Sequence, residues 1–482
     1  MIEGLRTQDA ASRQARFCVF EILRSVHCVD YPVIKPKPIR SELTMRLSFD
    51  RPIALAILAL LPCFGMVKLS RAQDASGTVA IKAVTDRQDA IYKVGETAVF
   101  TIEATRNGKP LADNVICQVS KDGVQPRPAQ TVEVKDGKAI LSTKLDEPGF
   151  LLLRATIGKS TAMAAAGFDP LQLKPSMPVP DDFDQFWATQ KSLLAAIPVK
   201  SEAKPIESST QGIDAFDVNI DCLGKPVSGY FGKPQNAKPK SLPAILLVHG
   251  AGVRSASLQS VSWSQREGGM LSLDINAHGI PNGQPSAYYT QLAASELKDY
   301  RSAGREDRQQ CYFKGMFLRL IRAIDFLTQQ PEWDGKTVIV YGSSQGGFQA
   351  FAAAGLDSRV TFFCAGVPAG CDHTGTLANR INGWPKLVPV DADGKPDAAA
   401  EQTARYFDCV NFATRAKCRG AAVTVGFIDT TCPPTSVYAA FNALTIPKTI
   451  HADTLSGHTS TPAASDFLRE AALLHVREMR AD

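Results

Sequence analysis

The sequence predicts a two-part chain: a small all-β module, then a larger α/β domain with a doubly wound, mostly parallel sheet. Three observations predict it. Between residues 78 and 166, short runs rich in β-branched residues alternate with turn signals. Beyond residue 180, continuous apolar strands alternate with helical patterns, as in a sheet covered on both faces. The strand TVIVYG (337–342) runs straight into Gly342-Ser343-Ser344-Gln345-Gly346 and an alanine-rich stretch, a sharp strand-to-helix turn built around one serine. The chain has 482 residues, 44% hydrophobic and 21% charged, which excludes a disordered or fibrous protein.

The first elements are addresses rather than structure. From Met45 the chain reads MRLSFDRPIALAILALLPCFGMVKLSRAQ. Arg46 and Arg51 precede an apolar run from Ile53 to Val67, and Ser70 and Ala72 stand at the −3 and −1 positions of a cleavage site. Residues 45–72 therefore read as a secretory signal peptide. The alternative, a membrane anchor, is disfavoured because Pro62 interrupts the run and it falls short of the roughly 20 residues needed to span. Residues 1–44 read as an upstream extension, with Met45 as the true start. The expected destination is export, to the periplasm or beyond the cell. The formal net charge of +5 sits in this front part. The remainder is neutral and gives no electrostatic reason to expect nucleic acid or an anionic membrane surface as partner. Eight of the 11 cysteines follow Ala72. With no CxxC and no Cys/His cluster at zinc spacing, no metal is expected. Scattered buried thiols are the simplest reading, although export permits disulfides.

TVAIKAV, AVFTIEAT, NVICQVS, KAILSTKL and FLLLRATI, separated by NGKP, KDG and DEPG, predict an immunoglobulin-like sandwich over 78–166. KVGETAVFTIEATRNGKPL resembles the opening strands of bacterial modules of that kind. No cluster of aromatics marks it for sugar binding, so spacer or packing partner is the plain expectation. A Pro-rich linker over 167–180 contains PLQLKPSMPVP. The α/β domain, 181–482, opens with a helix carrying Phe183, Phe186 and Trp187 on one side. FDVNID and VSGYFG read as an antiparallel hairpin, and AILLVHG, GMLSLDIN, TVIVYG, VTFFCAGV and AVTVGFID as buried strands. Phe317, Leu320, Ile324 and Leu327 form a helical stripe expected in the core.

The serine turn carries the chemistry. Small residues flank Ser344 because the backbone must pass close to neighbouring strands while Oγ points into a cleft. The following helix aims its N-terminal N–H groups at developing negative charge. A serine hydroxyl needs a base, and the base needs orienting. In an α/β-hydrolase these follow in the order Ser, Asp/Glu, His. AVTVGFID ends at Asp429, and three histidines follow: His451 in a strand, His475 in the last helix, read as a surface residue, and His458 in the Gly/Ser loop LSGHTST. The expected triad is Ser344, Asp429 and His458. The oxyanion donors are expected to be the backbone N–H groups of Ala251, in VHGAG, and Gln345. His249 is expected to orient that loop through a hydrogen bond. His278, in NAHGIPNG, is a candidate substrate-binding residue at the cleft border, and His373 and Arg380 rank below it.

These residues resemble the acetyl xylan esterase/cephalosporin-C deacetylase family (carbohydrate esterase family 7) over about 168–480. The likeness rests on DDFDQFW, HGAG, Cys311-Tyr-Phe-Lys-Gly-Met-Phe, RAIDFL, GSSQGG, RYFDCVNFA and above all VGFIDTTCPPTSVYAAFNAL (425–444). The resemblance implies an α/β-hydrolase fold, no cofactor, the same Ser344, Asp429 and His458, and the same N–H donors. The chain departs from the pattern at Asn276-Ala277-His278-Gly279, where Arg-Gly-Gln is usual, at His458-Thr459 in place of His-Glu, and at Ala251 in place of an aromatic. The expected function is an exported serine esterase acting on an acetylated carbohydrate or a small acetyl ester, with a homo-oligomer left open. The rivals are a prolyl-oligopeptidase-like peptidase, for which no acidic pair to bind a peptide N-terminus is evident, and a non-catalytic carbohydrate-binding protein, which would need a broken triad.

Overall fold

The structure, a computed structural model, describes residues 77–124 and 126–482. The upstream extension (1–44) and the signal peptide (45–72) lie outside the described residues.

Nine strands form two sheets in the N-terminal part: β1 (Val79–Thr85), β2 (Ile91–Tyr92), β3 (Ala98–Arg106), β4 (Lys109–Pro110), β5 (Asp113–Lys121), β6 (Gln130–Val134), β7 (Lys138–Thr143), β8 (Gly149–Ile157) and β9 (Ser160–Phe168). One sheet is ordered β1-β3-β4 with β7 on the other side of β3, and the second β2-β9-β8-β5-β6. Alternation makes the core: Ala98, Phe100, Ile102 and Ala104 of β3 are buried, as are Val115, Cys117 and Val119 of β5. They meet Leu151 and Leu153 between the sheets. Asn107-Gly108, Asp122-Gly123 and Asp136-Gly137 all have positive φ, which is why these pairs stand at the turns.

The second part is a nine-stranded sheet ordered β10-β11-β12-β14-β13-β15-β16-β17-β18. Its strands are β10 (Ser201–Ile206), β11 (Ile213–Ile220), β12 (Val227–Pro234), β13 (Leu242–Val248), β14 (Leu271–Ile275), β15 (Trp333–Ser343), β16 (Phe362–Gly366), β17 (Gly420–Gly426) and β18 (Lys448–Asp453). From β14 to β18 all pairings are parallel, while β10, β11 and β12 attach as an antiparallel edge. Eight α-helices accompany the sheet: α1 (Phe183–Ala195), α2 (Ser286–Ala294), α3 (Tyr312–Thr328), α4 (Gln345–Leu356), α5 (Ala398–Ala404), α6 (Cys409–Ala413), α7 (Pro434–Ala443) and α8 (Pro462–Ala481). β13 is buried throughout because both faces are covered. Its Leu246 and Val248 face the core shared with Phe317 of α3 and Phe348 of α4. Ile245 and Leu247 face the one shared with Leu468, Ala472 and Val476 of α8. The stripe of Phe317, Leu320, Ile324 and Leu327 is buried along α3.

His475 corrects a surface expectation. It lies on the inner side of α8 with Ala472 and Val476, is 3% exposed, bonds Thr361 Oγ1 at 2.9 Å and stacks on Phe362. All eight described cysteines are free, buried thiols. Among the described residues, no helix is long and apolar enough to cross a membrane.

Candidate active site

The parallel strands all end on one side, and the loops beyond β13, β15, β17 and β18 converge there. Ser344 stands between β15 and α4 with φ 59° and ψ −120°, a conformation that costs about 1–3 kcal/mol for a side-chain-bearing residue. The surroundings hold it there. Its N–H donates to Gly366 O at 2.8 Å, and its carbonyl accepts from Phe348 N and Ala369 N. A Cβ at Gly342 would lie 2.6 Å from Val248 O, and one at Gly346 only 2.3 Å from the same oxygen. The two glycines flanking the elbow are therefore demanded by the neighbouring strand β13.

β17 stops at Gly426, and Asp429 lies three residues on, in the turn leading to α7. Here too a glycine sets the approach: a Cβ at Gly426 would meet Ser456 O and Gly457 O at 2.5 Å. The loop after β18 crosses at this point. Phe427 N–H donates to Asp453 O at 3.0 Å and Ile428 N–H to Ser456 O at 3.2 Å. His458 follows directly. Its Nε2 lies 2.9 Å from Ser344 Oγ and its Nδ1 2.8 Å from Asp429 Oδ2. The other carboxylate oxygen, Oδ1, accepts from Thr431 N and Cys432 N, both at 2.8 Å. The Asp429 side chain is fully buried, whereas the imidazole is 26% exposed. The carboxylate is thus fixed and shielded while the imidazole and the serine hydroxyl remain reachable. Cys432 Sγ joins Asp429 and His458 in a group whose donor atoms lie within 4.8 Å of one another. Both imidazole nitrogens are already engaged, however, and burial pushes the Cys432 thiol far up. With its nitrogens engaged and its thiol held protonated, the group is poorly suited to hold an ion.

The loop 249–252 passes beside Ser344: a Cβ on Gly250 would sit 3.6 Å from Ser344 Cβ. Ala251 is exposed on this loop, and Gln345 opens α4. No acceptor among the described residues takes up the backbone N–H of either, so both are free to donate to a charge forming on a substrate oxygen.

Behind this loop lies a buried polar network. His249 Nδ1–H donates to Gly250 O at 2.6 Å, and its Nε2 accepts from Ala277 N–H at 3.1 Å. His278, expected to contact substrate at the cleft border, is instead 1% exposed. Its Nε2–H donates to Gly252 O at 3.1 Å and its Nδ1 accepts from Tyr312 Oη at 2.8 Å. Both of its nitrogens are thus taken, so it braces the 249–252 loop rather than reaching a ligand. Burial pushes His249 down to about 3 and His278 down to about 4, consistent with the neutral tautomers these bonds require. Tyr300 completes the brace: its hydroxyl accepts from Gly252 N–H at 3.3 Å and donates to Gln345 Oε1 at 3.1 Å. Sequence reasoning missed Tyr300, which stands in an irregular segment with no motif around it. His373 is buried against Phe348, and Arg380 pairs with the buried Asp372 at 2.9 Å; both support the loop after β16.

Known proteins share this frame. Residues 168–472 match the acetyl xylan esterase (AXE1) family. The acetyl esterase Axe7A of Xylanibacter ruminicola is 32% identical over 386 residues, covering 78% of this chain and 86% of its own length. The acetyl xylan esterase from Paenibacillus sp. R4 superposes with a TM-score of 0.53 at 27% identity, over 63% of this chain and 97% of that one. Acetyl xylan esterase 1 from Thermoanaerobacterium sp. JW/SL YS485 shares the fold, with a TM-score of 0.50 at 21% identity over 63% and 96% of the two chains. The α/β-hydrolase frame, the extent of the family match and the close relative lead to one conclusion: this chain belongs to the acetyl xylan esterase family and is a carboxylic ester hydrolase.

Proposed function

We propose that the protein is an exported serine esterase that removes acetyl groups from carbohydrates, working through Ser344, His458 and Asp429. The observation that carries the reading is the unbroken chain Ser344 Oγ–His458 Nε2 at 2.9 Å and His458 Nδ1–Asp429 Oδ2 at 2.8 Å. Ser344 Oγ attacks the ester carbonyl while His458 Nε2 accepts its proton. Asp429 holds the imidazole with Nδ1–H toward it and stabilises the cation that forms. The Ala251 and Gln345 N–H groups receive the oxyanion. His458 then gives its proton to the departing sugar hydroxyl, leaving an acetyl-serine. Water, deprotonated by the same imidazole, attacks that ester, and acetate leaves as Oγ regains the proton. The family and the acetyl esterase relative support acetyl esters as substrates. The signal-peptide reading of 45–72 supports export, and the strand count and alternation of 79–168 support an immunoglobulin-like class for the sandwich. The test is Ser344→Ala with p-nitrophenyl acetate and acetylated xylan. A loss of kcat of about 10⁴-fold or more is expected. Retained acetate release would refute the mechanism, and activity on the chromogenic ester without release from the polysaccharide would refute the carbohydrate substrate.

A further inference from the structure

The turn between β5 and β6 reaches out of the sandwich to the acid-bearing loop of the hydrolase part. Asp122 at its tip has φ 49° and is 4% exposed. Its Oδ1 accepts from Phe150 N–H at 3.1 Å within the sandwich, and also from the hydroxyl of Thr435 in the first turn of α7. Its carbonyl accepts from Ile381 N–H at 3.1 Å. A Cβ on Gly123 would come within 3.1 Å of the Ile381 side chain. The segment holding Ile381 goes on to Trp384, whose N–H donates to Thr431 O at 2.7 Å. Thr431 N–H in turn holds Asp429 Oδ1. From the other side, Phe150 packs edge-on against Phe427 at 5.0 Å and, with tilted rings, against Tyr438 at 5.6 Å. Asp122, Phe150, Phe427 and Asp429 line one small cavity of about 30 Å³. Asp429 thus has the sandwich before it through Phe427, after it through Thr435, and beside it through the Ile381–Thr431 relay.

We propose that the sandwich is a built-in clamp for the triad carboxylate, with Asp122 as a positioning residue that acts through the 427–435 loop. The inference rests on Asp429 serving as the triad acid. A carboxylate that must present one oxygen to an imidazole loses function when its loop drifts by a fraction of an ångström, and this loop carries no regular secondary structure of its own between Gly426 and Pro434. A docked module supplies the rigidity that a short turn lacks.

The experiment is a double-mutant cycle in the full chain, read as kcat and KM for p-nitrophenyl acetate, with thermal melts on every variant. Asp122→Ala is expected to lower kcat about tenfold with KM changed by less than about twofold. Asp122→Asn, whose amide oxygen can accept the same two bonds, should retain most of the activity. In an Asp429→Asn background, Asp122→Ala should cost less than about twofold more, because the group it positions is gone. Thr435→Val, which removes one hydroxyl, should repeat the pattern more weakly and serves if Asp122→Ala does not fold. Wild-type kcat in both Asp122→Ala and Thr435→Val overturns the clamp, as does an equal loss in both backgrounds. Full activity in Ser344→Ala or Asp429→Asn would instead overturn the triad reading beneath it.

Discussion

Gly426 offers a test of how much the meeting of two loops matters. Replacing it by alanine puts a Cβ 2.5 Å from Ser456 O and Gly457 O. A Cβ contact is essentially never found below 3.0 Å and becomes ordinary at 3.4 Å, so the loop after β18 must withdraw by about 0.5–0.9 Å, the difference between those limits and the 2.5 Å gap. The bonds Phe427 N–Asp453 O and Ile428 N–Ser456 O oppose that movement and would share the strain, about 1–3 kcal/mol of stability. His458 is the next residue after Gly457, so the displacement is delivered to the imidazole that sits 2.9 Å from Ser344 Oγ and 2.8 Å from Asp429. A shift at the upper end of this range takes both bonds past useful length, and one at the lower end stretches them close to that limit. A misplacement near 1 Å can cost about 100-fold, so kcat for p-nitrophenyl acetate should fall by about 10- to 100-fold in Gly426→Ala while the protein still melts cooperatively. A folded variant with kcat within about twofold of wild type would refute the reasoning that backbone contact between these loops sets the geometry of the proposed triad.

Three other outcomes follow from the same framework. Tyr300→Phe strips the hydroxyl shared by Gly252 N–H and Gln345 Oε1; kcat should drop about tenfold with the melting temperature little changed, and steady-state kinetics with a melt would show it. His475→Gln tests the buried histidine on α8, which burial pushes down to about 4 from 6.5. The unfolded chain takes up a proton below 6.5 and the folded one resists until about 4, so the stability His475 contributes is present above 6.5 and lost as pH falls through that window. The advantage of wild type over His475→Gln in denaturant titrations should therefore narrow from pH 7 to pH 4, and a constant or widening gap would refute it. Gly315→Ala on α3, where a Cβ would make only ordinary contact at 3.6 Å with Arg319, should stabilise by about 0.5–1 kcal/mol and leave kcat unchanged, as chemical denaturation and kinetics can check.

Much of the frame was legible along the chain because its signals are local. β-Branched runs with Asn-Gly and Asp-Gly turns mark the sandwich strands, continuous apolar runs mark strands covered on both faces, and a serine between small residues at a strand-helix junction marks the elbow. The order Ser344, Asp429, His458 could be read for the same reason, since each candidate sits at the end of a recognisable strand. The misreadings share one cause. His278 and His475 occupy a loop and a terminal helix, places where exposure is the usual expectation, and only docking against Tyr312 or Thr361 buries them. Tyr300 had no signal at all, because its role depends on which backbone N–H lies across from it.

The sequence by itself determined the class of sheet, the strand-to-helix turn at Ser344 and the candidates for its partners, since periodicity and turn chemistry act over a few residues. Tertiary structure alone decided which groups touch. Ser344 and His458 are 114 positions apart, and Asp122 and Thr435 are 313 apart. Hydrogen-bond partners at such separations are chosen by how packed elements dock, and no local preference encodes that. The grip of the β-sandwich on the loop of Asp429 belongs wholly to this second kind of information.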